Sequence, residues 1–343
     1  MNSAHICVIG NFNGDRESFD GQTVKTKTVF KALCHKYGTV NVIKSDTYYV
    51  TKRPFFFFYH FFKNIKRVDN VIILPAHRSI KILMPLVVIL KKARQKIHYI
   101  MIGGWLPSLI DKNKRLVKYL HKIDYIYPET QKVANLLIER GITQVVTLKN
   151  CKDLKTISKN NDSSNKYFKM CIFCRIEKQK GINEAIEIIN KLNSNYGNEY
   201  FLDIYGSITN EYKNEFYELI AKSNNVKYCG VKKPQDSVKT ISNYDLLLFP
   251  TKYYTEGIPG TIIDSYFAGV PVLASKWESF NEVIIDNRTG IGYDFNNQDD
   301  FYRKLEYIIT NKKILANMKK ECLKISHTYL PNEVLKPLFK NID

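Results

Sequence analysis

Short apolar runs alternate with longer amphipathic stretches along the whole chain, and that alternation constrains its fold more than any other feature. Brief runs rich in Val, Ile and Leu read as strands buried on both faces, and stretches of helical periodicity read as the layers covering them. In the first half, strands are expected at residues 5–10, 39–44, 70–76, 97–103, 125–127 and 145–148, and helices at 22–37, 78–91, 112–122 and 130–140. Residues 153–166 are polar and poor in apolar side chains, so they read as a linker. The alternation then restarts, with strands at 167–174, 200–205, 226–229, 246–250, 270–274 and 292–295. Helices are expected between and after them at 182–192, 211–222, 235–242, 261–268, 299–310 and 313–327. The fold class is therefore α/β, with two doubly wound Rossmann-like domains facing across a cleft. The expected divisions are an N-terminal domain at 1–152, a linker at 153–166 and a C-terminal domain at 167–343, whose last helix can pack back on the first domain. Ligands of such sheets sit at the carboxyl ends of strands, so the loops there are the places to look for chemistry.

Charge is distributed unevenly. Residues 1–150 carry 25 Lys and Arg against nine Asp and Glu, which places nearly all of the formal +19 in the first half. Residues 51–100 hold 11 cations and a single acidic residue. A field of one sign favours an anionic partner. Within that window, residues 52–67 set the aromatic run Phe55 to Phe62 between basic clusters. Such a segment suits the headgroup region of an anionic membrane, with rings buried and cations on phosphates. The alternative is a hydrophobic helix of the first domain with a solvated basic flank. No stretch is long and apolar enough to span a bilayer, and no secretory signal is expected at the start. Seven Cys give no disulfide framework and fit a reducing compartment. Cys171 and Cys174 have the C-x-x-C spacing, but no second pair or nearby His joins them, so metal binding is not expected.

Two stretches of the second half carry the chemistry. After the expected strand at 246–250 comes Thr255-Glu-Gly-Ile-Pro-Gly-Thr-Ile-Ile-Asp264, a turn leading into a helix. The N–H groups of Gly260 and Thr261 at that helix start would form an anion site, because unpaired donors and the positive end of the dipole point the same way. Glu256 precedes the turn and Asp264 lies one helical turn inside, so both carboxylates are candidates to accept hydrogen bonds from ligand hydroxyls. The other stretch is Ile172-Phe-Cys-Arg175-Ile-Glu-Lys-Gln-Lys180-Gly181. Here two cations follow a strand end. Arg supplies a planar fork and Lys a point charge, a combination suited to a diphosphate.

Together these stretches resemble the nucleotide-sugar domain of the family-4 glycosyltransferases, retaining enzymes of GT-B fold. Arg175 and Lys180 match that family's Arg and Lys five positions apart, which bind the donor diphosphate. Glu256 and Asp264 fall at the spacing of its Glu-x7-Glu motif, whose first Glu holds the donor sugar and whose second holds the ribose. Asp264 departs from the pattern by one methylene. Ala268-Gly-Val-Pro-Val272, Asp203-Ile-Tyr-Gly206 and Tyr228-Cys-Gly230-Val231 add looser matches. The resemblance implies Arg175, Lys180 and Glu256 as catalytic residues, with Gly21, Val231, Gly257, Ile258, Gly260, Thr261 and Asp264 binding the donor. Gly14 is the alternative to Gly21. Trp105, in Ile102-Gly-Gly-Trp-Leu-Pro107, is a candidate sugar-stacking surface, and His77 also follows a strand end.

The implied activity is retaining transfer of a sugar from a nucleoside diphosphate to a glycan or lipid-linked acceptor in cell-surface polysaccharide synthesis. It implies no metal and no cofactor, and a cytoplasmic location at the inner face of the membrane with no nucleic-acid partner. The alternatives are a sugar-nucleotide epimerase or phosphorylase using the same site, or a non-catalytic basic scaffold for membrane or nucleic acid.

Overall fold

The computed structural model describes residues 5–16, 20–75, 77, 79–157 and 167–343. The chain divides into two compact units, Met1–Asp153 with Tyr329–Asp343, and Leu154–Thr328. Each is built on a parallel sheet, as the double-sided burial of the apolar runs requires.

The first unit holds β1 (Ile6–Gly10), β2 (Val42–Asp46), β3 (Asn70–Leu74), β4 (Lys96–Ile100) and β5 (Tyr125–Tyr127), in the order β2-β1-β3-β4-β5. Alternate residues of β1 feed opposite faces. Cys7 and Ile9 pack with Phe57, Phe61 and Leu83 on one side, while Ile6 and Val8 pack with Val29 and Leu33 on the other. The second of these clusters also takes in Val334, Leu335, Leu338 and Phe339, so the end of the chain completes a core begun by its start. Burying each such side chain contributes about 1.5–3 kcal/mol.

A polar chain fastens that segment to the sheet. Asn341 Nδ2 donates to Tyr127 Oη (3.0 Å), which bonds His98 Nδ1 (3.0 Å), and His98 Nε2 bonds Asn70 Oδ1 (3.0 Å). Burial, aided by the charge of Lys96, pulls the His98 pKa down to about 4, so the ring sits neutral in this chain.

The second unit holds β6 (Phe168–Phe173), β7 (Tyr200–Tyr205), β8 (Val226–Tyr228), β9 (Leu246–Phe249), β10 (Val272–Ser275) and β11 (Gly290–Tyr293). Their order is β11-β10-β9-β6-β7-β8, so succession reverses between β6 and β9. That junction is the switch point at which a doubly wound sheet opens a crevice.

Several expected boundaries shift. The strand expected at 145–148 reduces to a single bridge between Val145 and Ile126, because three-residue β5 offers little edge to pair with. The strand expected at 39–44 begins at Val42, since Gly38 (φ 86°) starts a turn that uses up the intervening residues. The helix expected at 112–122 is two helices, Leu106–Lys112 and Lys114–Leu120, broken at Asn113. The aromatic run forms the helix Pro54–Ile65. Ala76, Arg78 and residues 158–166 of the expected linker lie outside the described residues.

Candidate functional site

At the switch point of the second unit, the crevice is lined by Ile172, Phe173, Cys174 and Lys180 from the β6 side and by Leu248, Phe249, Pro250 and Thr251 from the β9 side. Gly181 sets how closely the two sides approach. It adopts φ 67°, and a Cβ there would lie 1.9 Å from the Pro250 carbonyl oxygen. Only glycine tolerates both the left-handed conformation and the contact. Gly206, at the end of β7, closes on the Cys174 carbonyl in the same way, with 1.6 Å to an added Cβ. Lys252 N donates to Gln179 O (2.8 Å), and the Lys252 ammonium pairs with Glu184 in the first turn of the Ile182–Tyr196 helix. Ser275 Oγ donates to Thr251 O (2.6 Å) and ties the β9 loop to β10.

Within this frame the two sequence motifs meet. The Lys180 ammonium contacts Glu256 Oε1, with 16 % of the lysine side chain and 18 % of the glutamate exposed. The same carboxylate oxygen accepts a hydrogen bond from Thr251 Oγ1 (3.1 Å). The ammonium also lies 4.7 Å from the Tyr253 ring centroid and 5.9 Å from that of Phe249, so aromatic faces hold it from two sides. Arg175, just beyond β6, is exposed and has no ion-pair partner among the described residues. Its guanidinium is therefore free to take an anion.

Pro259 caps the helix Gly260–Phe267 in an extended conformation and makes no side-chain cap bond. Ile262 and Ile263 N both turn back to Pro259 O, whereas the N–H groups of Gly260 and Thr261 have no partner among the described residues. Thr261 Oγ1 beside them is buried and also lacks a hydrogen-bond partner. Orphan donors at a helix start, with a spare hydroxyl, form an anion-binding arrangement.

Gly257 and Ile258 are buried in the turn between these groups, Ile258 being 3 % exposed. Asp264 is 3 % exposed and has a partner of its own, so its carboxylate is far less open than that of Glu256. Val231, beyond β8, is 43 % exposed and follows Gly230 (φ 74°) at the carboxyl edge of the sheet.

In the first unit, Gly21 opens the helix Gly21–Tyr37 behind Asp20, whose carboxylate caps Thr23 N (2.8 Å). A Cβ at Gly21 would meet open space, so its position places no demand for glycine. Gly14 favours it: φ is 59°, a conformation that Asn13 and Asp15 beside it share, and an added Cβ would lie 3.2 Å from the Tyr48 ring. Trp105 Nε1 donates to Ile102 O (2.7 Å), and its ring meets His77 edge to face at 4.9 Å. Sequence reading did not find the buried pair of Lys25 with Glu129, which are 2 % and 4 % exposed. Lys25 also donates to Met101 O (2.9 Å) and Glu129 Oε2 accepts from Gly103 N (3.3 Å), so the pair braces the loop ahead of Trp105. Thr251, Tyr253 and Gly181 were likewise missed. Of these only Gly181, a glycine directly after the candidate lysine Lys180, left a trace in the sequence.

Cys171 and Cys174 are not a reactive pair. Desolvation pushes the Cys174 thiol up to about 12 and raises Cys171 well above its ordinary value, so both stay protonated. Among the described residues, no three His, Cys, Asp or Glu side chains are gathered to hold a metal ion.

Two Rossmann-like sheets, one with a lysine and a carboxylate paired at its switch point, define an α/β protein of the GT-B type. The model of the family described as glycosyl transferases group 1 matches residues 153–324, half of the chain, and the chain belongs to that family. Anabaena HepE, solved in complex with UDP and glucose, superposes with a TM-score of 0.75 at 13 % identity over 99 % of both chains. The lipopolysaccharide outer core galactosyltransferase WaaB, in its apo form, gives 0.70 at 16 % identity over 98 % of both. An uncharacterized 41.2 kDa protein in the cps region of Klebsiella pneumoniae is 27 % identical over 182 residues. That match takes in 52 % of this chain and 47 % of the relative, so it spans about half of each.

Proposed function

We propose that this glycosyltransferase moves a sugar, with retention at the anomeric carbon, from a nucleoside diphosphate to a glycan or lipid-linked acceptor in cell-surface polysaccharide synthesis on the cytoplasmic side of the membrane. The observation that carries the reading is the contact of crevice-lining Lys180 with Glu256, whose loop runs on into the unpaired Gly260 and Thr261 amides at the next helix start. The diphosphate takes the place beside Arg175, Lys180 and those amides. When the bond from the anomeric carbon to the leaving oxygen breaks, negative charge grows on the diphosphate, where fixed positive charge and dipoles already point. The chain supplies that charge itself, so the proposed transfer continues with a chelator present. Glu256 accepts hydrogen bonds from sugar hydroxyls once Lys180 turns toward phosphate, and so orients the anomeric carbon. Exposed Val231 is suited to cover an apolar face of the base. Asp264, shorter and more enclosed, reaches ribose only by a small outward movement or through water.

The Klebsiella relative's place in a cps region supports the polysaccharide assignment. The UDP complex of HepE supports a nucleoside diphosphate donor. A thermal-shift screen against nucleoside diphosphate sugars, followed by product analysis with acceptor or inorganic phosphate, tests the reading. A donor that raises the melting temperature and yields a glycosylated acceptor bears it out. An epimerised nucleotide sugar, or transfer to inorganic phosphate alone, replaces it.

A further inference from the structure

The helix Pro54–Ile65 is apolar on two opposite faces, and only one is used. Phe57, Phe61 and Ile65 recur at every fourth position and are buried in the first unit's core. Phe55, Tyr59 and Phe62 follow i, i+4, i+7 spacing on the far side and are 91 %, 64 % and 37 % exposed. A helix that is hydrophobic all round normally lies inside a protein. The neighbouring helix Ile80–Ile89 repeats the pattern. It packs into the same core cluster through Ile80, Leu83, Met84 and Val87, yet turns Ile82 (62 %) and Ile89 (72 %) outward. Both helices cover the same face of the sheet through this one cluster, and the Lys92 ammonium, just past the second, bonds the Lys66 carbonyl at the end of the first, so their outward stripes lie on one side of the unit.

Charge around these stripes is of one sign. Lys63, Lys66, Arg67, Lys81 and Arg94 are exposed, and none has a carboxylate partner among the described residues. The only acidic residue of the stretch, Asp69, accepts from His5 N (3.3 Å) instead. Exposed rings ringed by uncompensated cations match a layer that is apolar inside and negatively charged at its face. They do not match a folded protein partner of ordinary mixed charge. Among the described residues no helix is long and apolar enough to cross a membrane, so contact would be made lying flat.

We propose that the outward faces of Pro54–Ile65 and Ile80–Ile89 form a docking surface for an anionic lipid bilayer. Phe55, Tyr59, Phe62, Ile82 and Ile89 enter the headgroup boundary, and the surrounding lysines and arginines rest on lipid phosphates. This does not depend on the donor site, which lies in the other unit, so either proposal can fail alone.

Co-sedimentation of the full chain tests it, with vesicles of phosphatidylcholine alone and with added phosphatidylglycerol. Binding should require phosphatidylglycerol and weaken as salt is raised. Phe55→Ser with Tyr59→Ser should lower the partition by about tenfold or more while leaving the melting temperature and nucleotide-sugar binding unchanged. In a separate variant, Phe55→Trp should shift its added emission to the blue on mixing with anionic vesicles. The proposal is overturned by equal pelleting of the double variant, by binding that ignores lipid charge, or by no binding at all. A lipid-independent dimer abolished by the same double variant would instead assign the surface to a second copy of the chain. Salt-sensitive RNA binding without vesicle binding would likewise overturn it.

Discussion

Replacing Glu256 with Gln separates two duties that its carboxylate holds together. With 16 % and 18 % of the side chains exposed, the Lys180 to Glu256 contact is a largely buried, charge-assisted bond. Such bonds contribute about 1.5–3 kcal/mol. An incoming diphosphate must draw the ammonium away from that carboxylate or share it. Glu256→Gln keeps the side chain's shape and an oxygen for the Thr251 hydroxyl, while removing the competing charge. At an effective dielectric near 20, a carboxylate about 8 Å from a phosphate repels it by about 2 kcal/mol per unit charge. Halved for solvent at the crevice mouth, that is about 1 kcal/mol, or about fivefold tighter binding of a nucleoside diphosphate. Transfer moves the other way. Losing a charged acceptor for sugar hydroxyls, at about 1.5–3 kcal/mol, slows turnover about 10- to 150-fold. Calorimetric titration with the nucleoside diphosphate and a sugar-transfer assay read the two effects on one variant. Weaker diphosphate binding together with undiminished transfer would refute the reasoning.

Gly181→Ala places a Cβ 1.9 Å from the Pro250 carbonyl at φ 67°, and should lower stability to urea by about 2–4 kcal/mol; an unchanged midpoint contradicts the tight β6 to β9 contact. Thr261→Val replaces a buried hydroxyl that has no hydrogen-bond partner among the described residues. Urea unfolding should find it as stable as the parent or more so, while its affinity for a nucleoside diphosphate falls about 2- to 12-fold, the equivalent of one hydrogen bond. His98 is held neutral down to about 4 in the folded chain, against an ordinary value of 6.5, so the unfolded chain binds the extra proton between those values. Stability is therefore complete above pH 6.5 and falls as pH drops toward 4, by up to about 3 kcal/mol. Urea titrations across that range should show a smaller slope for His98→Gln.

The parallel sheets were legible because residues such as Val71, Ile72 and Ile73, or Leu246, Leu247 and Leu248, are buried on both faces and leave unbroken apolar runs. Boundaries were less so, because glycine contacts between distant segments set them. The strand expected at 292–295 is Gly290–Tyr293, since Gly290 alone lets that edge approach the Val272 carbonyl, 2.2 Å from an added Cβ. The sequence allowed a last helix to pack back on the first domain, but residues 334–342, which do so, carry no helical pattern that points to Ile6, Val8 and Leu33 at the other end of the chain. At the candidate site, motif spacing identified Lys180 and Glu256, whose contact now joins the two stretches. It did not reveal that Thr251 and Tyr253 hold that pair, because a hydroxyl and a ring in a loop carry no distinctive pattern. Between Gly14 and Gly21, nearness to the helix favours Gly21, yet only Gly14 has a left-handed backbone and a side chain close to where a Cβ would stand. Positive φ is a property of the folded turn that a lone glycine in a loop does not announce.

A structure of the chain with a nucleoside diphosphate bound is the most direct test of the proposed donor site. The account predicts the phosphates within hydrogen-bonding distance of Arg175, Lys180 and the Gly260 and Thr261 amides, with Glu256 released from Lys180. Phosphates bound elsewhere, with Lys180 still on Glu256 and Arg175 facing solvent, would contradict it.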